Sequence, residues 1–315
     1  MFVCISCVPT NRLSLEVINP AFFTFPDTGK IVVLNASHSP ETNINSNSLL
    51  NQLNQNERRI FDTIIVSNTF NGLFSILNQS PSFDLLNSEY QEIRTKDTSN
   101  FLNPISESGI QYLSDVYNAS FFVVLEYFDF NRVSKKQVYN YDYGWWEYKL
   151  EVSNKLAWRI YDNNGLILDE FVDSDTLYWY ENIDSKAPLP ELPDAVREAF
   201  FISGEKYGRR ICPFWIEISR QYYLISNDGD DISLEKEALL LWKESKNSRQ
   251  QSKACFNLAI LSETEDNLDE ALKWINKAYE LNPSELILNY KKKLDSRIEV
   301  RKKISLQASP NNILT

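Results

Sequence analysis

Residues 257–283, "NLAILSETEDNLDEALKWINKAYELNP", read as two helices joined by a short polar turn. Leu258 precedes Ala259 on the first helix, and the second carries Trp274, Ile275, Ala278 and Leu281, the three-to-four-residue recurrence of a helix with one buried face. Ala259, Ala271, Ala278 and Pro283 fall at steps of twelve, seven and five. Small side chains at those places let two antiparallel helices approach closely, and the proline ends the second helix. Asn267 is placed to cap that helix, with Glu270 three residues on.

Upstream, "EALLLWKESK" (237–246) echoes "EALKWINKAY" (270–279), with Ala238 and Ala271 33 residues apart. This resembles a tetratricopeptide repeat, whose period is about 34 residues. Leu258, Ala259, Ala271, Ala278 and Pro283 would be its packing residues, with the bulk of Trp274 and Tyr279 beside them. The resemblance implies half a repeat, one full repeat and a final helix from Pro283-Ser284 to about Lys303. Three or more repeats are usual for stability, so one and a half must lean on other structure. A generic helical hairpin is the alternative.

Working back along the chain, the pattern changes. "GKIVVLNAS" (29–37) holds a buried strand, Glu57 to Leu77 a helix, and Phe83–Leu86 a short strand. "ISESGIQYLSDVYNASFFVVLEYFDF" (105–130) gives a helix running into an apolar strand, Phe121–Tyr127. Leu156, Trp158 and Ile160 alternate, "DNNG" (162–165) turns the chain, and residues 166–172 return as a hairpin partner. Three prolines in 187–193 precede a helix near 194–207, and "CPFWIEISRQYYLIS" (212–226) reads as a last strand.

Early strands joined by helices and later hairpins predict an α+β fold, a mixed-sheet domain followed by an all-α segment. The expected division is a tether over 1–12, the α+β domain over 13–228, the helical domain over 229–305 and a patternless tail over 306–315.

Composition narrows the function. A chain of 315 residues suggests two domains. Eight glycines leave little room for glycine-rich phosphate loops. A net charge of −11 argues against nucleic acid, whose phosphates need concentrated Lys and Arg. No apolar run approaches the roughly 20 residues of a membrane span.

At the front, Cys4-Ile5-Ser6-Cys7 is similar to the end of a lipoprotein signal, which would make Cys7 the lipidated residue and place the protein in the cell envelope, held to a membrane only by that anchor. A hydrophobic N-terminus with two incidental cysteines is the other reading. Cys212 and Cys255 read as small core residues.

No catalytic constellation is proposed, and no cofactor or metal. The only histidine, His38, lies in a polar loop, "NASHSPET", without a serine or a paired ligand. Asp129 or Asp142 with Glu147 could make an acid pair, but carboxylates at strand ends are common. "NDGDDISLEKE" (227–237) aligns Gly229 and Glu235 with the glycine and final glutamate of a calcium loop, yet Leu224 and Ser226 stand where acidic ligands belong.

The most unusual candidate is the run Tyr139, Tyr141, Tyr143, Trp145, Trp146 and Tyr148. On a strand the first four share one face. Buried, they form a core ladder; exposed, they suit a protein partner or sugar rings.

The whole chain also resembles a family of uncharacterised cell-envelope lipoproteins of Gram-negative anaerobes. The residues that carry it are "TNRLSLEVINPAFFTFP", "KIVVLNAS", "YGRRICPFWIEISRQYY" and "SKACFNLAILSETEDNLDEALKWINKAY". More distantly, "YNASFFVVLEY" looks like a helix-to-strand step of outer-membrane accessory lipoproteins. Neither resemblance implies catalytic residues. The expectation is a non-enzymatic adaptor that binds a protein, with a glycan-binding accessory protein as the alternative.

Overall fold

A computed structural model describes residues 10–27, 29–37, 54–78, 85–89, 103–182, 188–224, 226–227, 230–231, 234, 239–240 and 243–308. Cys4, Cys7, His38, Gly229, Glu235, Ala238 and Trp242 lie outside them. The fold is α+β. Contacts divide the chain into two compact units, residues 21–212 and residues 1–20 with 213–308.

The first unit is built on a five-stranded sheet of order β3-β2-β4-β5-β6. Its strands are β2 (Ile31–Asn35), β3 (Leu85–Glu89), β4 (Phe121–Asn140), β5 (Trp145–Asp162) and β6 (Ile167–Asn182). β2 runs parallel to β3 and β4, and β4, β5 and β6 form an antiparallel meander. β2 is buried throughout Ile31–Leu34, the apolar run of a strand covered on both faces.

Helices α1 (Gln55–Leu77) and α3 (Leu192–Ile211) cover one face, where Trp158 of β5 stacks on Tyr207 and meets Phe70. They cross at glycines. A Cβ on Gly72 would stand 1.9 Å from the Phe201 carbonyl oxygen, and one on Gly204 would stand 2.0 Å from that of Thr69. The other face is covered by α2 (Glu107–Tyr117), whose Ile110 and Leu113 pack with Val32, Leu34, Phe122, Val124 and Tyr161. Asn54 and Ser106 accept backbone N–H groups at the starts of α1 and α2. Asn118 ends α2 in the left-handed conformation that asparagine tolerates.

The meander is longer than expected. The strand read over Phe121–Tyr127 continues to Asn140, and the hairpin read from Leu156 begins at Trp145 and extends to Asn182. Polar stretches such as 131–137 and 173–176 interrupt the apolar alternation there, so the strand roots alone carry a continuous signal.

The second unit joins β1 (Thr10–Asn19) and β7 (Phe214–Tyr223) in an antiparallel ribbon. A small hairpin of β8 (Ser226–Asn227) and β9 (Asp230–Asp231) follows, then α4 (Ser248–Thr264), α5 (Leu268–Leu281) and α6 (Glu285–Ala308). β7 therefore belongs with the helices, unlike the expected boundary at 228/229. Tyr222 and Tyr223 join a core with Phe256, Ala259, Ile260, Ala271, Ile275, Ala278 and Tyr290, against which Leu13 packs.

α6 runs to Ala308, into the expected tail, and residues 309–315 lie outside the described residues. Asp266 sits at φ 56° between α4 and α5, and Asn267 accepts the Glu270 N–H at the start of α5. Ala259, Ala271 and Ala278 are fully buried, Leu258 nearly so, and Pro283 is exposed just past α5. Cys212 and Cys255 are buried and neither is in a disulfide.

Candidate interaction surfaces

Beyond Leu150 the β4–β5 hairpin turns through Tyr141–Gly144. Asn140 builds this turn. Its Oδ1 accepts the N–H groups of Asp142 and Tyr143, its carbonyl accepts the Gly144 N–H, and its Nδ2 donates to Glu147 at 2.7 Å. Gly144 takes φ +75°, a conformation that glycine adopts without a Cβ clash. The expected single face of Tyr139, Tyr141, Tyr143 and Trp145 is therefore broken. The chain reverses after Asn140, so Tyr141 and Tyr143 stand in the turn and Trp145 opens β5.

A different aromatic group forms. The register sets Tyr139 opposite Trp146 and Gln137 opposite Tyr148, so Tyr139, Trp146 and Tyr148 share one face. Tyr139 meets Tyr141 edge-on at 5.1 Å and Trp146 at 5.3 Å. All are exposed: Tyr141 at 89 %, Tyr143 at 67 % and Trp146 at 51 %. The core-ladder reading does not apply to them.

On the opposite face, Lys149 lies 3.7 Å from the ring centre of Tyr178, next to an exposed Tyr180. Those two tyrosines were not singled out from sequence; alternation in "TLYWYEN" (176–182) was the available signal.

The carboxylates weighed as an acid pair have other partners. Glu147 is bound by Asn140, Asp129 is buried and accepts from the Tyr127 hydroxyl at 3.3 Å, and Asp142 is in the turn. Deeper in the sheet, buried Arg159 donates to Glu170 at 2.7 Å and lies 3.9 Å from Glu126, which accepts from the Tyr161 hydroxyl at 2.9 Å. The same hydroxyl oxygen accepts the Ile105 N–H, tying the segment before α2 to the sheet. Burial, reinforced by the Glu126 charge, pushes the Tyr161 phenol far above its ordinary range. Groups so enclosed fix the fold rather than meet a ligand.

The second unit centres on Glu263, fully buried at the end of α4. Arg220 grips it through Nε at 2.9 Å and Nη2 at 2.8 Å, Arg297 pairs with it at 2.9 Å, and the Tyr290 hydroxyl donates at 2.8 Å. Burial alone would raise its pKa, but the hydrogen bonds and charge of Arg220, with those of Arg297 and Tyr290, hold it below the usual carboxylate range. In sequence Glu263 is the first of three carboxylates in "ETED" (263–266), and nothing there marks it as the buried one. Beside it, β1 and α6 enclose an open groove of about 530 Å³.

Residues 236–296 match the family described as a domain of unknown function, DUF6340. No curated protein matches the chain. Residues 28–223, more than half of the chain, match the model of the domain of unknown function DUF8603, and the chain belongs to that family.

Proposed function

We propose that the protein is a non-enzymatic adaptor of the cell envelope that binds another protein through the aromatic end of the β4–β6 meander. The exposed cluster of Tyr139, Tyr141, Tyr143, Trp146 and Tyr148 carries this reading. Tyr and Trp bury large area at low entropic cost and dominate interface hot spots. A hydrogen-bonded turn at Asn140 holds the group in place before any partner arrives. The non-enzymatic part rests on the sequence, with its single histidine and no nucleophile–base pattern.

The alanine spacing of α4 and α5 supports a tetratricopeptide-like segment later in the chain, and "CISC" (4–7) supports lipidation at Cys7. Lipidated protein would partition with membranes, and Cys7→Ala would release it; a wild-type protein without a lipid adduct by mass spectrometry contradicts the anchor.

Exposed Tyr and Trp rings also suit sugar stacking, which makes a glycan-binding accessory protein the second reading. A photo-crosslinking amino acid at Tyr143, compared with one at exposed Tyr112 on α2, separates the two. A discrete protein adduct at Tyr143 alone is expected. No adduct there, with binding on a saccharide array that is lost in Trp146→Ser, would favour the glycan reading.

A further inference from the structure

We propose that Asn164 is a site of spontaneous amide-to-acid modification in the folded protein, and that the turn around Asp162 sets its rate. The site lies at the opposite end of β5 from the aromatic surface and stands independently of it.

The chemistry needs an asparagine followed by a residue with an unshielded nitrogen, and glycine, without a Cβ, suits it best. The glycine backbone nitrogen loses its proton to solvent base and attacks the asparagine Cγ. The Cγ–Nδ2 bond breaks, the amide nitrogen takes up one proton and leaves as ammonia, and a five-membered imide remains. Water then opens the imide at either carbonyl. The product is aspartate, or an isoaspartate whose main chain runs through the former side chain. One water is consumed and one ammonia released, with no oxidant or metal required.

The chain has two Asn–Gly pairs, Asn71-Gly72 and Asn164-Gly165, and both asparagines are exposed. Sequence and accessibility therefore rank them alike. The backbone separates them. Closing the imide ring requires the peptide after asparagine to rotate out of the helical conformation. Gly72 is buried within α1, where a Cβ would already stand 1.9 Å from the Phe201 carbonyl oxygen of α3. Rotation there displaces α3, so Asn71 reacts only when the core comes apart.

Gly165 has no such lock. It lies in the connection 163–166 between β5 and β6, and its φ of +92° makes glycine the residue that the turn requires after Asn164. Asp162 holds this turn. Its Oδ1 accepts the N–H groups of Asn164 at 2.9 Å and Leu166 at 2.7 Å, and its carbonyl accepts the Gly165 N–H at 3.1 Å. Its Oδ2 accepts from Asn164 Nδ2 at 3.3 Å. The attacking nitrogen is thus engaged, and the amide is drawn back toward Asp162. The side-chain bonds are exposed, and bonds of that kind open locally without global unfolding. Opening of the turn alone exposes Asn164 to attack.

The product disturbs its surroundings. A carboxylate replaces the amide that donated to Asp162, so two like charges meet. Glu107, the first residue of α2, is a third, its Cγ 3.3 Å from where a Cβ on Gly165 would lie. Modification therefore loosens the turn where it meets α2.

The test incubates the full chain in mildly alkaline buffer below its melting temperature. Peptide mass spectrometry follows each asparagine, and an isoaspartate-specific methyltransferase scores the rearranged product. Asn164 converts while Asn71 stays intact; in concentrated urea both convert at similar rates. Asp162→Ala speeds conversion of Asn164 by about tenfold, and Asp162→Asn, which keeps an accepting side-chain oxygen, stays near the wild-type rate. Asn71 reports on the fold of each variant, because it stays intact only while α1 and α3 remain packed. An Asn164 that survives in native buffer but converts in urea overturns the site, as does native conversion of Asn71 at the same rate. Asp162→Ala that is no faster, or Asp162→Asn that is as fast as Asp162→Ala, overturns the role of the turn.

Discussion

At the scale of single residues, Glu263 is the most consequential side chain in the helical unit. Its carboxylate ties β7, α4 and α6 together through Arg220, Arg297 and Tyr290. Removing one partner of a buried pair leaves the other charge uncompensated, typically costing about 3–5 kcal/mol. Glu263→Gln is therefore expected to lower thermal stability by that order, whereas a change of less than about 1 kcal/mol would show that the pair is not essential.

The sign of the pH effect follows from the depressed pKa of Glu263. Its contribution is present above the unfolded carboxylate value, about 4.3, and is lost as pH falls through the lower folded value. Acid unfolding of the wild type should steepen below about pH 4, and Glu263→Gln should flatten it. A chemical-denaturation series across pH 2–7 measures the difference. The sequence indicated little of this. Glu263 and Arg220 are 43 residues apart, and no periodicity relates an arginine in a strand to a carboxylate in a distant helix.

At the scale of elements, the helical pair was legible because its signal is local. Alanines at twelve and seven residues place small side chains where α4 and α5 meet, and Ala271 and Ala278 are fully buried there. A larger side chain at such a contact typically costs about 1–3 kcal/mol. Ala271→Leu should lower the melting temperature, while Lys273→Leu, on the exposed side, should leave it nearly unchanged. Similar small shifts for both would mean that the helices are not closely packed at Ala271.

The meander was legible only at its roots. Leu156, Trp158 and Ile160 alternate against a core, but residues such as "NRVSKKQ" (131–137) carry no apolar face. The turn at Tyr141–Gly144 was missed for a related reason. Alternating aromatics suggested a continuing strand, whereas Asn140 and Gly144, which make the turn, sit among them. The aromatic candidates were found, but their arrangement was not.

At the scale of the whole chain, the helical unit takes its ribbon from both sides of the first unit, β1 before it and β7 after it. Thr10 pairs with Tyr223 across more than two hundred residues. Leu13, Leu15 and Val17 do alternate in the sequence, but alternation cannot name a partner strand. A boundary drawn at 228/229 therefore cuts Tyr222 and Tyr223 away from the core that contains them. Residues 229–315 expressed alone should be molten or aggregated, because that core loses its ribbon wall. Circular dichroism of the fragment checks this, and a cooperative, monomeric melt would contradict it.

The central claim is that the aromatic end of the meander is where a protein partner binds. Its most direct measurement is calorimetry of the purified partner, identified by crosslinking at Tyr143, with wild type and with Tyr141→Ser/Trp146→Ser. Both side chains are exposed, so the fold and melting temperature should be unchanged. Hot-spot aromatics are each worth about 2 kcal/mol or more, so the double substitution, at about 4 kcal/mol, should raise Kd by about a thousandfold. An unchanged Kd with an intact fold would contradict the account.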